Sequence, residues 1–135
     1  MVSNTASDYL KSLKHIAIFG ASGAIGSSFV KILNDYENVE TIHCFSRSSA
    51  NFNSAKIITH QFDYLDESSL KSAKDKMESS LRFDLIITAT GALHIDSHMP
   101  EKSLSAYTPE NAELFYKINT IGPSLVMKYF SPLLR

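Results

Sequence analysis

A glycine-rich turn between two apolar segments is the feature that most restricts the fold of this chain. The segment His15–Phe19 is short, apolar and rich in β-branched residues, as expected of a buried parallel strand. The turn that follows reads Gly20-Ala21-Ser22-Gly23-Ala24-Ile25-Gly26. Beyond it, apolar residues recur at helical spacing, at Ile25, Phe29, Ile32 and Leu33. A strand, a tight turn and an amphipathic helix in this order predict the first half of a βαβ unit.

Each glycine of this turn has a separate physical role in a dinucleotide site. Gly20 permits the tight turn, Gly23 lets backbone N–H groups approach a pyrophosphate, and Gly26 lets the helix pack closely on the strand. The helix N-terminus adds partial positive charge. The pattern therefore predicts a dinucleotide site formed by residues 20 and 22–26, namely Gly20, Ser22, Gly23, Ala24, Ile25 and Gly26. The alternative is a tight turn that binds no ligand.

The end of the second predicted strand, residues 40–46, indicates which dinucleotide is preferred. An NAD site typically has a carboxylate there, which accepts a hydrogen bond from the ribose 2′-hydroxyl. This chain has Ser46, Arg47 and Ser48 instead. A guanidinium pairs well with a 2′-phosphate, and serine hydroxyls donate hydrogen bonds to it. We therefore expect NADP as the cofactor; the alternative is a solvated loop arginine.

The rest of the chain continues to alternate between strand and helix patterns. Residues 56–59 and 84–88 predict the third and fourth strands, and Asp66 is the predicted N-cap of a helix between them. Thr108 and Pro109 predict the start of a last helix. Apolar residues then fall on one face of this helix, at Leu114, Ile118, Ile121 and Leu125. The pattern predicts a Rossmann-type, doubly wound parallel α/β sheet over residues 14–135, preceded by an N-terminal arm or short helix over residues 1–13.

Composition excludes several other classes of protein. The 135 residues include 13 basic and 14 acidic side chains, a balance that gives no electrostatic footprint for nucleic acid. No segment approaches the roughly 18 consecutive apolar residues of a membrane span, and residues 1–10 do not resemble a signal peptide. We therefore expect a cytoplasmic protein with no membrane or nucleic-acid partner. The only cysteine, Cys44, lies in an apolar run and is expected to be a buried hydrophobic residue without a metal.

These motifs together resemble the nucleotide-binding half of the short-chain dehydrogenase/reductase family, over residues 14–134. The resemblance implies a hydride transfer between NADP(H) and a small-molecule carbonyl or alcohol. Asp63 matches the acidic residue that meets the adenine amino group, with Tyr64 beside it. Ala89, Thr90 and Gly91 match the loop beneath the ribose, although only the glycine keeps the family's usual Asn-Asn-Ala-Gly. Ala24 stands where the family usually has glycine.

Asn119 matches the asparagine of the family's catalytic tetrad. Pro123 has no N–H, so the carbonyl of Asn119, four residues earlier, loses its helical hydrogen-bond donor. A free carbonyl there can hold a water, and in the family such a water continues a proton relay. The alternative is a helix kink with no chemical role.

The family's catalytic tyrosine and lysine, spaced Tyr-x-x-x-Lys, have no counterpart in this sequence. None of the six tyrosines has a lysine four residues later. We therefore expect these 135 residues alone to be inactive, because proton transfer needs a positioned acid. We also expect a fold that is truncated after the fourth strand and the following helix. The fourth strand would then be an exposed apolar edge, and pairing of copies through the last helix would cover it.

Two other functions remain open on the sequence alone. The first is a catalytically inactive NADP-binding subunit with a regulatory or scaffold role. The second is a methyltransferase, which also uses a glycine loop after its first strand. A methyltransferase is expected to have an acid at the end of the second strand, where this chain has Ser46 and Arg47.

Overall fold

The computed structural model describes residues 5–48 and 50–135, and within them a four-stranded parallel sheet in the order β3-β2-β1-β4. The predicted Rossmann-type α/β fold is confirmed. The strands are β1 (His15–Phe19), β2 (Thr41–Ser46), β3 (Ile57–Gln61) and β4 (Leu85–Thr88). The helices are α1 (Thr5–Ser12), α2 (Ala24–Asn34), α3 (Glu67–Asp75), α4 (Pro109–Tyr116) and α5 (Gly122–Phe130). A π-helical turn, Lys117–Ile121, joins α4 to α5.

Helices cover both faces of the sheet, so the core has two layers. On one face, Val30 and Leu33 of α2 pack with the apolar side chains of β1 and β2, and Leu10 of α1 lies against the same cluster. On the other face, α3 and α5 cover the remaining side chains of the strands. This alternation follows from the pleat, which sends successive side chains of a strand to opposite faces.

An aromatic cluster fills the second layer at the carboxyl ends of the strands. Phe19 of β1 stacks on Phe45 of β2 with ring centroids 4.4 Å apart and an interplanar angle of 10°. Phe130 and Phe62 meet Phe19 edge-on, at 4.7 Å and 5.4 Å. Such pairs stabilise a core beyond the area that they bury. The cluster fixes the ends of β1 and β2, from which the loops of the candidate site begin.

The buried face of α2 differs from the apolar face that the sequence pattern predicts from Ile25, Phe29, Ile32 and Leu33. Gly26, Val30 and Leu33 face the sheet, whereas Ile25 is 67% exposed and Ile32 is 57% exposed. The reason is the close approach of Gly26 to the carbonyl of Gly20, which sets the rotation of the helix about its axis. Leu33 alone of the four predicted residues is buried.

The last helical segment also departs from the predicted pattern. Ile118 is fully buried, but Ile121 is 42% exposed, and the buried seam continues through Gly122, Val126 and Phe130. The π-helical turn adds one residue and so rotates the following face. Pro123 lies just after this turn, where a missing N–H disturbs regular α-helical bonding.

The predicted helix starts are confirmed by their caps. The side chain of Asp66 accepts a hydrogen bond from the N–H of Ser68, and Thr108 accepts one from Asn111. The fourth strand lies at the edge of the sheet as predicted, but its residues are half-buried and not exposed. Beside its start, Phe83 forms a parallel bridge with Leu134. Within the described residues, no helix combines the length and apolar character needed to cross a bilayer.

A histidine pair on β2 and β3 lies beside the residues that follow the carboxyl end of α3. His43 Nδ1 and His60 Nε2 lie 2.9 Å apart, with the rings stacked at 5.1 Å. Burial, and then the charges of His60 and His15, lowers the pKa of His43 to about 4. Burial also lowers the pKa of His60. The hydrogen bond needs one bare ring nitrogen, so the pair is stable only while it is not fully protonated.

We expect this pair to make the fold sensitive to acid. Because the pKa of His43 in the folded state lies below its unfolded value, the unfolded state binds more protons in this range. The free energy of unfolding therefore decreases as the pH falls from about 6.5 towards 4. The loss approaches about 3 kcal/mol at the lower end. Urea unfolding across this range measures it. His43→Val should flatten the profile, while the exposed control His94→Asn should not; a flat profile in the unmodified chain would contradict the assignment.

Candidate dinucleotide-binding site

A groove runs across the carboxyl ends of β1, β2 and β4. Its volume is about 120 Å³. The strand order reverses at β1, and ligands of open parallel sheets bind at such a point. The groove is lined by Gly20, Ser22, Gly23, Ser46, Arg47, Phe62, Tyr64, Ala89, Thr90 and Gly91.

The glycine loop has the geometry that the sequence predicts. Gly20 has a φ of +82°, and a Cβ there would lie 2.6 Å from the carbonyl oxygen of Ala89. The N–H groups of Gly20 and Ala21 donate to the carbonyl of Phe45, at 2.9 Å and 3.1 Å. These bonds hold the loop on the end of β2. Only glycine fits at position 20, on both conformational and steric grounds.

The amino end of α2 opens towards the groove without a side-chain cap. Gly23 is the N-cap, with a φ of −74° and a ψ of 166°, and its N–H donates to Gly20. The first N–H groups of a helix have no intrahelical partner. An anionic group of a ligand can therefore accept from them. Ala24 and Ile25 do not line the groove, so their contribution would come from these backbone N–H groups.

The loop after β2 brings one cation to the groove. Arg47 is exposed, and its guanidinium forms no ion pair within residues 5–48 and 50–135. Gln61 of β3 donates from Nε2 to the backbone carbonyl of Arg47 at 3.3 Å, which ties this loop to β3. The Ser46 hydroxyl donates to the carbonyl of Ser48 at 2.6 Å, so its proton is already engaged in a hydrogen bond within the loop. Ser48 does not line the groove.

Thr90 carries the clearest sign that a polar ligand fits here. Its hydroxyl oxygen is buried and has no hydrogen-bond partner among the described residues, yet the residue lines the groove. An unsatisfied buried hydroxyl costs about 1–3 kcal/mol. A ribose hydroxyl or a carboxamide of a bound nucleotide would satisfy it. The loop 88–91 thus presents an unpaired hydroxyl to the groove.

Tyr64 forms one wall of the groove and is almost fully buried, with 6% of its surface exposed. Burial raises the pKa of its phenol, and the positive charge of Arg47 partly opposes this rise. The ring lies directly against Gly122, where a Cβ would overlap the ring carbons. Sequence reasoning missed Gly122, although its place before Pro123 in a helical pattern was a signal. Asp63 lies outside the groove, in an adjoining cavity that also contains Arg47.

Asn119 connects the loop after β4 to the π-helical turn. Its side-chain amide accepts from the N–H of Ala92 at 2.8 Å and donates to the Ala92 carbonyl at 2.9 Å. A Cβ on Gly91 would lie 3.2 Å from the Asn119 side-chain oxygen. The side chain therefore positions the floor of the groove. The relay expected at the main-chain carbonyl of Asn119 stays a prediction.

The groove and the sheet together define the class of this domain. A glycine turn that opens a helix at the switch point of a β3-β2-β1-β4 parallel sheet is a Rossmann-type dinucleotide-binding unit. The sequence of residues 15–106 matches the family "Semialdehyde dehydrogenase, NAD binding domain", and the chain belongs to that family. The predicted nucleotide-binding Rossmann domain is thus confirmed. No curated protein sequence matches the chain.

Solved structures resemble this fold closely at low sequence identity. NADPH-bound carbonyl reductase from chicken fatty liver is 19% identical, with a TM-score of 0.76 over 90% of this chain and 48% of that one. A short-chain dehydrogenase from Leptospira borgpetersenii with bound NAD⁺ is 21% identical, with a TM-score of 0.73 over 90% and 46%. One from Burkholderia cenocepacia with NADP is 18% identical, with 0.73 over 91% and 49%. The chain spans about half the length of these proteins, and the likeness shows the fold alone.

Proposed function

We propose that this chain is the cofactor-binding half of an NADP-dependent oxidoreductase of the short-chain dehydrogenase/reductase type. The reaction would transfer hydride between NADP(H) and a small-molecule carbonyl or alcohol. The observation that carries the choice of cofactor is Arg47, which stands in the groove at the end of β2 where an NAD site has a carboxylate. The resemblance of the motifs and the shared fold support the type of oxidoreductase.

Different residues of the groove and of the adjoining cavity would bind different parts of the cofactor. The amino end of α2 would take the pyrophosphate, because its first N–H groups have no intrahelical acceptor. Thr90 and Gly91 would contact the ribose beneath β4's end, and Arg47 would pair with the 2′-phosphate. Asp63 would accept from the adenine amino group. The bound cofactor supplies or receives the hydride, and these residues bind and orient it.

The solved structures of similar fold support a nicotinamide dinucleotide without selecting one. Two are described with NADPH or NADP and one with NAD⁺. The matched family is described by NAD binding. We propose that the Arg47 side chain at the end of β2 contributes most to the preference, since no other residue that lines the groove carries a positive charge.

The family description also raises a second candidate, the oxidation of an aldehyde, for which one chemical route forms a covalent thioester. That chemistry needs an accessible thiolate. The only cysteine of the chain, Cys44, is 1% exposed, and burial raises its pKa to about 12. Cys44 is therefore not suited to act as the nucleophile of such a reaction.

Substitution of Arg47 tests the proposed cofactor preference. We expect Arg47→Ala to weaken NADPH binding about tenfold or more, with NADH binding unchanged, because a charged hydrogen bond to phosphate is lost. Isothermal titration with both cofactors measures this. Arg82→Ala is the matched control, since Arg82 is also exposed but bonds only the carbonyls of Ser79 and Leu81. Equal native affinities, or a preference that Arg47→Ala leaves unaltered, would exclude NADP selection at this residue.

An activity assay tests whether this chain by itself catalyses hydride transfer. The protein is mixed with NADPH and a panel of aldehydes and ketones, and the loss of NADPH absorbance is followed. Oxidation that depends on the carbonyl supports the oxidoreductase. Because no tyrosine of this sequence has a lysine four residues later, tight NADPH binding without turnover is the result expected of this chain under both functions, and it does not favour the regulatory alternative.

We also propose that copies of the chain associate through α5, on which Met127 is exposed. Light scattering measures that association.

A further inference from the structure

A second, larger cavity adjoins the groove on the side of β3 and α3. Its volume is about 510 Å³, and it shares Arg47 and Phe62 with the groove. It is therefore reached by a ligand that extends past the end of β2. The complete lining is Arg47, Gln61, Phe62, Asp63, Ser69 and Lys76.

The charged side chains of this cavity favour an anion. Arg47 and Lys76 each carry one positive charge and Asp63 one negative charge, which leaves a net charge of +1. Neither cation forms an ion pair within the described ranges, 5–48 and 50–135. Asp63 is engaged locally, because its Oδ1 accepts from the N–H of Leu65 at 2.9 Å. A dianion between the two cations would thus gain two partners, each without another counter-ion.

A hydroxyl donor completes the polar lining. Ser69 Oγ accepts a hydrogen bond from the N–H of Asp63 at 3.0 Å. Its own proton must therefore point away from that N–H, and Ser69 lines this cavity and the neighbouring one beside β3. A hydroxyl with a free proton, in a cavity that two cations also line, suits a phosphate oxygen.

The histidine beside this region does not compete for the anion. Burial, and then the positive charge of Lys76, lowers the pKa of His60. His60 is therefore neutral at pH 7, and Lys76 is the cation on the α3 side.

We propose that Lys76 and Ser69 form, with Arg47, a site for the adenosine 2′-phosphate, so that Lys76 is a second determinant of NADP selection. This inference rests on the proposed function. A phosphate monoester held between a guanidinium and an ammonium is bound from two sides, whereas Arg47 alone reaches it from the β2 loop. Discrimination against NAD then depends on the side chain of Lys76 as well as on the end of β2.

The test uses two ligands that differ only in the phosphate concerned. Adenosine 2′,5′-bisphosphate and adenosine 5′-monophosphate are titrated into the unmodified protein and into Lys76→Met, which keeps the apolar stem and removes the charge. We expect Lys76→Met to weaken bisphosphate binding about tenfold, the value of one charge-assisted hydrogen bond. The monophosphate, which lacks the group, should bind as before. Lys71→Met is the matched control, since Lys71 is an exposed α3 lysine outside the cavity.

Each outcome either supports or overturns the inference. A loss confined to the bisphosphate and to Lys76→Met supports it. Unchanged bisphosphate binding overturns it, and so does an equal loss for both ligands, which would indicate a general effect on the site. Arg47→Met separates this failure from failure of the proposed function. If Arg47→Met loses the bisphosphate and Lys76→Met does not, NADP selection stands and only the role of Lys76 falls; if neither variant responds, both proposals fall.

Discussion

Gly26→Val is expected to abolish nucleotide binding and to destabilise the fold. A Cβ at this position would overlap the carbonyl oxygen of Gly20, and the nearest atoms are all backbone. The clash is therefore relieved only if α2 moves away from β1, which displaces the N–H groups that face the groove. Overpacking of this kind costs about 3 kcal/mol or more. Urea unfolding and NADPH titration measure the two effects.

The matched control for this substitution lies on the same helix. Ser28→Val introduces the same side chain at an exposed position of α2, so it carries the cost of helix propensity without the clash. It should bind NADPH with nearly native affinity. If Gly26→Val binds NADPH within a few fold of the native chain, the loop is only a structural turn and the site lies elsewhere.

Gly122→Ala is expected to destabilise the fold by about 1–3 kcal/mol and to weaken cofactor binding with it. The added methyl group would overlap ring carbons of Tyr64, a wall of the groove. Because both residues are buried, the ring can move only towards the groove or against the core. Thermal unfolding and NADPH titration would show both losses.

A double substitution checks that this contact is the cause. Tyr64→Ala alone costs stability through the cavity that it leaves. If the clash with the ring explains the defect, Gly122→Ala should cost far less in the Tyr64→Ala background than in the native one. Equal costs in both backgrounds would mean that the defect of Gly122→Ala arises in the helix backbone and not at the ring.

The strands and the glycine loop could be predicted because each follows from local physics. A buried strand reads as an apolar run, and only glycine adopts the φ of +82° at Gly20. The caps at Asp66 and Thr108 are similarly local, because a short side chain bonds an N–H two or three residues later. Such features need no knowledge of what packs against them.

The buried faces of the helices could not be predicted because they depend on contacts between elements. Periodicity places Ile25 and Phe29 on an apolar face of α2, but the fit of Gly26 against Gly20 turns that face towards solvent. In the last helical segment, the π-helical turn shifts the seam from Ile121 to Gly122. Neither shift is visible from the spacing of apolar residues alone.

The candidate site shows the same division. Residues of the loops after β1 and β2 follow from motif and strand order, and the structure brings Gly20, Gly23 and Arg47 to one groove. Thr90's unsatisfied hydroxyl and the cation of Lys76 emerge only from the fold, because burial and cavities join residues distant in sequence. The pairing of Asn119 with Ala92 is likewise a tertiary contact across 27 residues.

The most direct test of the central claim is to observe where NADPH binds. The backbone amides of the ¹⁵N-labelled chain are followed by NMR as NADPH is added. We predict saturable shifts at Gly20, Gly23, Arg47 and Gly91, with little change at Lys31 on the far end of α2. No shifts at millimolar NADPH, or shifts confined to residues away from the groove, would contradict the assignment of this groove as a dinucleotide site.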